Sequence, residues 1–347
     1  MKLLTDLADR GWLPDAVIRT GIGRLNRLRL RHESTRHAGD PNHTMAAFVK
    51  AMHQSPLALA TDKANDQHYE VPAAFFEQVL GKHLKYSCAL WKPGVASLDR
   101  AEADMLATTA ARADLANGMD VLELGCGWGS LTLYLAARFP HSRITAVSNS
   151  ASQRQFIEHR CRERKIDNVE VITADMNDFS IDRRFDRIVS VEMFEHMRNW
   201  ALLLARIDTW LKPSGRVFIH IFTHRKYAYP FDTQGDDNWM GRHFFTGGMM
   251  PADDLIFHFQ EHLAVEKHWR VNGGHYRKTA DAWLANMDAR RKGILPVLAG
   301  VYGIDNAALW FQRWRIFFMA CSELWGYADG RQWLVSHYRL KKAAVAG

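Results

Sequence analysis

Val121-Leu-Glu-Leu-Gly-Cys-Gly-Trp-Gly-Ser130, running on as Leu131-Thr-Leu-Tyr-Leu-Ala136, is the stretch whose reading decides the fold. The apolar run 121–124 has the length of a buried strand and stops at three glycines on alternate positions, Gly125, Gly127 and Gly129. Behind them Leu131, Leu133, Tyr134 and Leu135 are spaced for a helix. Strand, glycine turn and helix make the first crossover of a nucleotide-binding α/β sheet. Glycine suits that turn because a Cβ would hold a ligand off the backbone, and because the turn can require positive φ.

The spacing bears on the ligand. A dinucleotide fingerprint reads G-x-G-x-x-G and seats a pyrophosphate on the helix N-terminus. Here the order is G-x-G-x-G, preceded by the acid Glu123. It resembles the motif of S-adenosylmethionine (SAM) methyltransferases, whose ligand has an amino-acid tail and a sulfonium in place of the pyrophosphate. The resemblance implies SAM as cofactor, with Glu123, Gly125, Gly127 and Gly129 among its contacts. A plain tight turn is the bland alternative; acid, strand and helix in register speak for the site.

Composition sets the bounds. The chain has 347 residues, 47% hydrophobic and 24% charged, enough for one large or two small globular domains with a real core. Its net charge of +7 is dispersed, and no nucleic-acid-binding motif accompanies it, so nucleic acid is not an expected partner. Cys88, Cys126, Cys161 and Cys321 form no CxxC pair, which points to reduced thiols in a cytoplasmic protein, with neither a zinc site nor a disulfide framework. No apolar run reaches the 18 residues of a bilayer span.

Taken in order, residues 1 to about 55 read as helices. Ile18, Ile22, Leu25 and Leu28 recur at helical spacing among Arg19, Arg24, Arg27, Arg29 and Arg31. Such a basic helix suits anionic lipid, a substrate cleft or, most simply, a solvated face packed on the rest of the molecule. A helix is expected over 98–113. Strands follow at 143–147, 169–173, 185–191 and 216–222, with a helix over 153–165 and a turn at 212–215. The later chain reads as an aromatic loop (238–248), a strand (263–272), a turn (273–276), helices over 277–292 and 306–324, and a final strand (333–340). Trp310 and Trp314 on the second of these helices read more readily as core than as pocket.

Ligands of open α/β sheets bind at the carboxyl ends of strands. The second strand ends at Ser148, Asn149 and nearby Gln153, which can bond ribose hydroxyls without charge. The third delivers Asp175 and Met176, suited to an adenine amino group and ring. The fourth leads into Glu192-Met-Phe-Glu-His196; a helix starting there would put Glu192, Glu195 and His196 on one face. Two carboxylates beside an imidazole suit acid–base work. Metal is not expected, because the spacing is not that of a zinc helix.

The phrases Asp66-Gln-His-Tyr-Glu-Val-Pro72, 75–81 and Leu84-Lys-Tyr-Ser-Cys-Ala-Leu-Trp91 resemble the stretch with which cyclopropane fatty acid synthases and their relatives enclose SAM. The resemblance covers nearly the whole chain. It implies contacts from Tyr86 and Ser87 to the methionine part of SAM. It also implies a class I methyltransferase fold: a Rossmann-like, mostly parallel seven-stranded sheet with its last strand antiparallel. The corresponding layout is an N-terminal helical region (1–85), a methyltransferase domain (86–347) and, within it, a substrate-covering helical lid (231–330).

Two kinds of enzyme share these features. The synthases resemble the chain at Tyr86-Ser-Cys88, Glu195 and His220, the neighbourhood in which they hold a bicarbonate, but they carry a tyrosine in a late helix where 311–321 has none. The coclaurine N-methyltransferase group fits better, through Glu192 to His196, Phe245-Thr-Gly-Gly248, Trp325-Gly-Tyr327 and His337-Tyr-Arg-Leu-Lys-Lys342. The resemblance implies direct methyl transfer to a small, aromatic or alkaloid-like amine. His196 would serve as base, with either Glu192 or Glu195 orienting it and the other attracting the ammonium. An unsaturated phospholipid acyl chain is the alternative acceptor. Oligomeric state is not legible in the sequence.

Overall fold

The computed structural model describes residues 2–59, 71–231 and 239–344. The chain opens with helices α1 (Lys2–Asp9), α2 (Asp15–Arg36), α3 (Pro41–Gln54), α4 (Ala73–Val79) and α5 (Leu98–Arg112). Strands and helices then alternate: β1 (Asp120–Leu124), α6 (Ser130–Arg138), β2 (Arg143–Ser148), α7 (Ala151–Arg164), β3 (Val169–Thr173), β4 (Phe185–Val191), α8 (Trp200–Trp210) and β5 (Leu211–His224). Two short strands, β6 (Tyr229–Pro230) and β7 (Met249–Met250), pair with each other and flank α9 (Trp239–His243). Strand β8 (Leu263–Val271), helices α10 (Gly273–Ala289), α11 (Arg291–Tyr302) and α12 (Ala307–Gly326), and strand β9 (Trp333–Lys342) complete the chain.

Burial explains why the strands sit as they do. In β1, Val121, Leu122, Glu123 and Leu124 are all buried, so both faces of the strand are covered, as in a parallel sheet clad by crossover helices. The main sheet runs β3-β2-β1-β4-β5-β9-β8. Pairs from β3 through β5 are parallel, and β9 lies antiparallel between β5 and β8, as the resemblance implied. The strand order reverses between β1 and β4, so the crevice above their carboxyl ends is the topological place for a ligand.

The Lys212-Pro-Ser-Gly215 turn is absorbed into β5 as an irregularity: Phe185 pairs with Leu211 and Arg187 with Arg216, so the bulged strand spends five steps against two. Residues 273–276 are the first turn of α10, a correction. The Oδ1 of Asn272 accepts the Gly274 N–H at 2.7 Å, an N-cap where Asn-Gly-Gly reads equally well as a loop. Helix α11, which contains Pro296, falls where no helix was expected, and α9 lies within the expected aromatic loop. Trp314 is fully buried, and Trp310 stacks on Tyr302 at 4.1 Å; neither faces the crevice. Residues 60–70, with most of the Asp66–Pro72 phrase, and Asn238 lie outside the described residues.

Helices α10 to α12 are inserted between the last two strands, and the N-terminal helices pack on them. Arg19 of α2 donates to Asp281 and Glu323 at 2.9 Å each, while Arg313 and Arg315 of α12 bond Asp9 and Asp15. Part of the basic face of α2 is thus committed to the inserted helices. Among the described residues no helix is long and apolar enough to cross a membrane.

Gly129 caps α6 at φ +78°, and a Cβ there would lie 2.7 Å from Ile157, itself fully buried on α7. Gly129→Ala therefore forces overpacking in a left-handed position. It is expected to lower the unfolding free energy by about 1–3 kcal/mol in urea titrations.

Candidate active site

One cavity lies above the carboxyl ends of β1, β2, β3 and β4. It is walled by the loop 84–87, the glycine turn, Phe222 of β5, Phe245, and the inserted helices through Tyr276, Trp283 and Phe317. Tyr86, Ser87, Glu123, Gly125, Gly127, Ser148, Asn149, Gln153, Met176, Glu192, Glu195 and His196 all line it. Gly129 and Asp175 do not. Asp175 instead accepts the Asn177 N–H at 2.7 Å as a turn cap behind Met176.

The three glycines of the motif answer to three different constraints. All have positive φ. A Cβ on Gly125 would meet Met193 at 2.9 Å and one on Gly129 would meet Ile157, whereas one on Gly127 would project into open space. Only at Gly127 does the missing side chain leave room at the cavity itself.

Several buried polar atoms of this lining have no partner among the described residues: Thr109 Oγ1, Trp128 Nε1, Ser130 Oγ, Gln153 Nε2, Glu195 Oε2 and Trp283 Nε1. Native interiors leave few such atoms, because each forfeits a hydrogen bond made in water. Donors and acceptors spread round one cavity fit a ligand polar along its whole length, as an amino acid joined to a nucleoside is. The neutral β2 end is itself ordered: Ser148 Oγ donates to Gln153 Oε1 at 2.6 Å, which turns the amide nitrogen of Gln153 the other way.

Glu123 is buried, with Thr132 Oγ1 donating to it at 2.6 Å. Burial pushes its carboxyl up to about 8, against the pull of that hydroxyl. Lys85, which the sequence reading missed, is also buried and donates to Ser87 Oγ. Burial pulls its ammonium down, and the nearby Glu192 pulls it back up.

The expected helix from Glu192 is not formed. Glu192 closes β4 at φ +48°, left-handed, with its N–H donating to the His220 carbonyl at 2.8 Å. A non-glycine residue there costs roughly 1–2 kcal/mol. The bend turns the carboxylate back into the protein. Oε1 accepts the Cys88 N–H at 3.0 Å and bonds His220 Nε2 at 3.2 Å; Oε2 accepts the Tyr276 hydroxyl at 2.6 Å. A separate 3₁₀ turn, Phe194–His196, then places Glu195 and His196. The imidazole joined to Glu192 by these bonds is His220, while the ring of His196 stacks on Phe245 with centroids 4.8 Å apart.

Burial raises the carboxyl groups of both Glu192 and Glu195. Lys85, the Tyr276 hydroxyl and the Cys88 N–H oppose the rise at Glu192, whereas the charge of Glu192 adds to it at Glu195. Two adjacent carboxyls share charge unequally. Glu192, with three donors, is the better supported as the anion, and its charge pushes Glu195 further toward the neutral form.

Sequence reasoning missed Tyr276 and Trp283, read there within a turn and a helix, and His337. The signal for His220 and His337 was available: each interrupts an apolar strand run, where a buried polar side chain needs a partner. The phenol that reaches this polar cluster is Tyr276 of α10.

Residues 59–327 match the family described as mycolic acid cyclopropane synthetase. The chain belongs to that family. It is 37% identical to (S)-coclaurine N-methyltransferase of Thalictrum flavum subsp. glaucum, over 85% of this chain and 83% of that one. It is 30% identical to cyclopropane-fatty-acyl-phospholipid synthase of Escherichia coli K12, over 78% of this chain and 66% of that one. A crystal structure of coclaurine N-methyltransferase bound to N-methylheliamine and SAH superposes with a TM-score of 0.94 at 32% identity, covering 98% of this chain and 99% of the other. The chain is a SAM-dependent methyltransferase, and SAM is its cofactor.

The raised Glu123 carboxyl has a stability consequence. Its folded value, about 8, exceeds the ordinary 4.5, so its stabilising contribution is complete below pH 4.5 and is lost as pH rises through about 8. Relative to Glu123→Gln, the ligand-free parent is expected to lose stability at up to about 1.4 kcal/mol per pH unit between pH 5 and 8. Urea unfolding of both proteins at three pH values measures this; parallel curves would mean the carboxyl is ionised throughout.

Proposed function

We propose that this protein transfers a methyl group from SAM to the nitrogen of a small aromatic, alkaloid-like amine. The observation that carries the reading is the Glu192 carboxylate, seated on the Cys88 N–H, His220 Nε2 and the Tyr276 hydroxyl. Cys88 and His220 belong to the neighbourhood in which the resembling synthases hold bicarbonate. Here a side chain of the protein fills the role of the anion, and fixed negative charge at an aromatic chamber favours an ammonium over a neutral alkene. The named N-methyltransferases among its relatives support the same class of acceptor.

SAM, when bound, supplies an electrophilic methyl group on a sulfonium. Tyr86, Ser87, Glu123, Gly125, Gly127, Gly129, Ser148, Asn149, Gln153, Asp175 and Met176 form the set that holds it, most of them at the cavity wall and Gly129 and Asp175 by shaping the turns behind it. Phe222, Phe245, Tyr276, Trp283 and Phe317 exclude water and present ring faces to a cationic amine. The helices of the 231–330 region act as the substrate cover.

An alkylamine with a pKa of roughly 10, like that of lysine, must lose a proton before its nitrogen can attack; at pH 7 this costs about 4 kcal/mol. His196 accepts that proton at the cavity wall. Glu195 offers the amine its unpartnered Oε2, and Glu192 supplies the charge that draws the ammonium in. Holding the nitrogen in line and dry contributes several kcal/mol more.

Radiolabelled-methyl transfer to heliamine, the unmethylated parent of the amine in the related crystal structure, tests the reading beside phospholipid vesicles with unsaturated acyl chains. Label is expected in the amine, without dependence on bicarbonate. His196→Ala should lower kcat at pH 7 by about 10²-fold. That defect should shrink as pH approaches the amine's own pKa, where no base is needed. Label confined to the lipid would overturn the proposal.

A further inference from the structure

Behind Glu192 a line of hydrogen bonds leaves the active site and crosses three elements. His220 on β5 bonds Glu192 Oε1 through Nε2, and its Nδ1 lies 2.8 Å from Nε2 of His337 on β9. The Nδ1 of His337 lies 2.7 Å from Nη1 of Arg112, in the last turn of α5. Both histidines are wholly buried, their rings 4.5 Å apart on the paired strands β5 and β9, where the two residues stand directly opposite. None of Arg112, His337 and His220 lines the cavity.

The two ends of the line settle its polarity. A guanidinium only donates, so His337 accepts at Nδ1 and carries its proton on Nε2. That proton is donated to Nδ1 of His220, which must then carry its own proton on Nε2, facing the carboxylate. A carboxylate only accepts, so the far end agrees with the near one. Reversing the line would set a lone pair of His220 against Glu192. Both imidazoles stay neutral because burial and the nearby cations Arg112 and Lys85 pull them well below the ordinary histidine range.

We propose that Arg112, His337 and His220 are a positioning relay that locks both imidazoles in the Nε2–H tautomer and delivers one N–H to Glu192, holding its carboxylate ionised and oriented. The proposal rests on Glu192 acting as the amine-attracting charge. The other groups facing Glu192 are Lys85 and Cys88 from the 84–91 loop, Tyr276 from α10, Glu195 from the 3₁₀ turn and Cys321 from α12. Lys85 stabilises the same ionised form, and the charge of Glu192 in turn raises Glu195. The relay adds, from outside the cavity, a third donor to the two that Cys88 and Tyr276 supply.

Two readouts test it on the full-length protein. The first is the pH profile of kcat/KM for heliamine. Arg112→Met and His337→Phe are expected to move the acid limb up by about one pH unit, a tenfold loss at any pH on the limb that disappears at the alkaline end. Arg112→Lys, which still donates, and His337→Gln, which can accept at one atom and donate at the other, should keep the parent limb. A uniform drop at every pH, or a lowered melting temperature with the limb in place, would make the residues merely structural. The second readout needs no turnover: ¹⁵N spectra of histidine-labelled protein, the two rings assigned by their loss in H220Q and H337Q. Both should be protonated at Nε2 alone from pH 5 to 9, with His337 losing that single tautomer in Arg112→Met. A proton on Nδ1 of either ring in the parent would overturn the relay. If the parent methylates no amine, the substrate reading fails while the spectra still decide the relay.

Discussion

A carboxylate cannot be buried without donors, and the architecture of this site follows from meeting that demand at Glu192. Its donors come from the loop before α5, from β5 and from α10, segments that are distant in sequence. Each must arrive within about 3 Å for the charge to be tolerated, since an isolated carboxylate in a low-dielectric interior takes up a proton instead. The left-handed backbone at residue 192 follows from the same demand: an extended or helical conformation would not turn the side chain back between β5 and the inserted helices. The strain is offset where three hydrogen bonds converge.

Charge elsewhere in the cavity is arranged around that one group. Lys85 lies buried beside it, and Glu195, close enough to feel it, is pushed toward the neutral form. Glu192, the raised Glu195 and the His196 imidazole share the cavity wall with Lys85 and Glu123. In the function proposed above, the Glu192 charge favours a cation and His196 accepts its proton. Aromatic faces from β5, α10 and α12 complete the chamber, their weak attraction for cations acting in the same direction.

Much of the fold was legible because parallel strands covered on both faces are written as short apolar runs that end at the ligand. Residues 169–173 and 185–191 are strands with the bounds their composition suggests, and 121–124 differs by a single residue. What was not legible has local causes. Asn272-Gly-Gly serves equally as a turn or as an N-cap, so the helix expected from 277 begins a turn earlier, at Gly273. Pro296 hid α11. Glu192 to His196 has helical spacing, and nothing in the pentapeptide declares a left-handed first residue, because the cause lies in Cys88, His220 and Tyr276.

The same distinction separates the cofactor side of the cavity from the acceptor side. The side proposed for the cofactor is lined by turns at strand ends, whose residues are contiguous in sequence and carry their meaning in a few letters. The side proposed for the acceptor is lined by side chains from the loop before α5, the 3₁₀ turn, β5 and two inserted helices, which share no local pattern. Tyr276 shows this. The phenol that bonds Glu192 comes from the first turn of α10, in a stretch whose glycines read as a turn, and its place in the site is set by the packing of that helix against its neighbours.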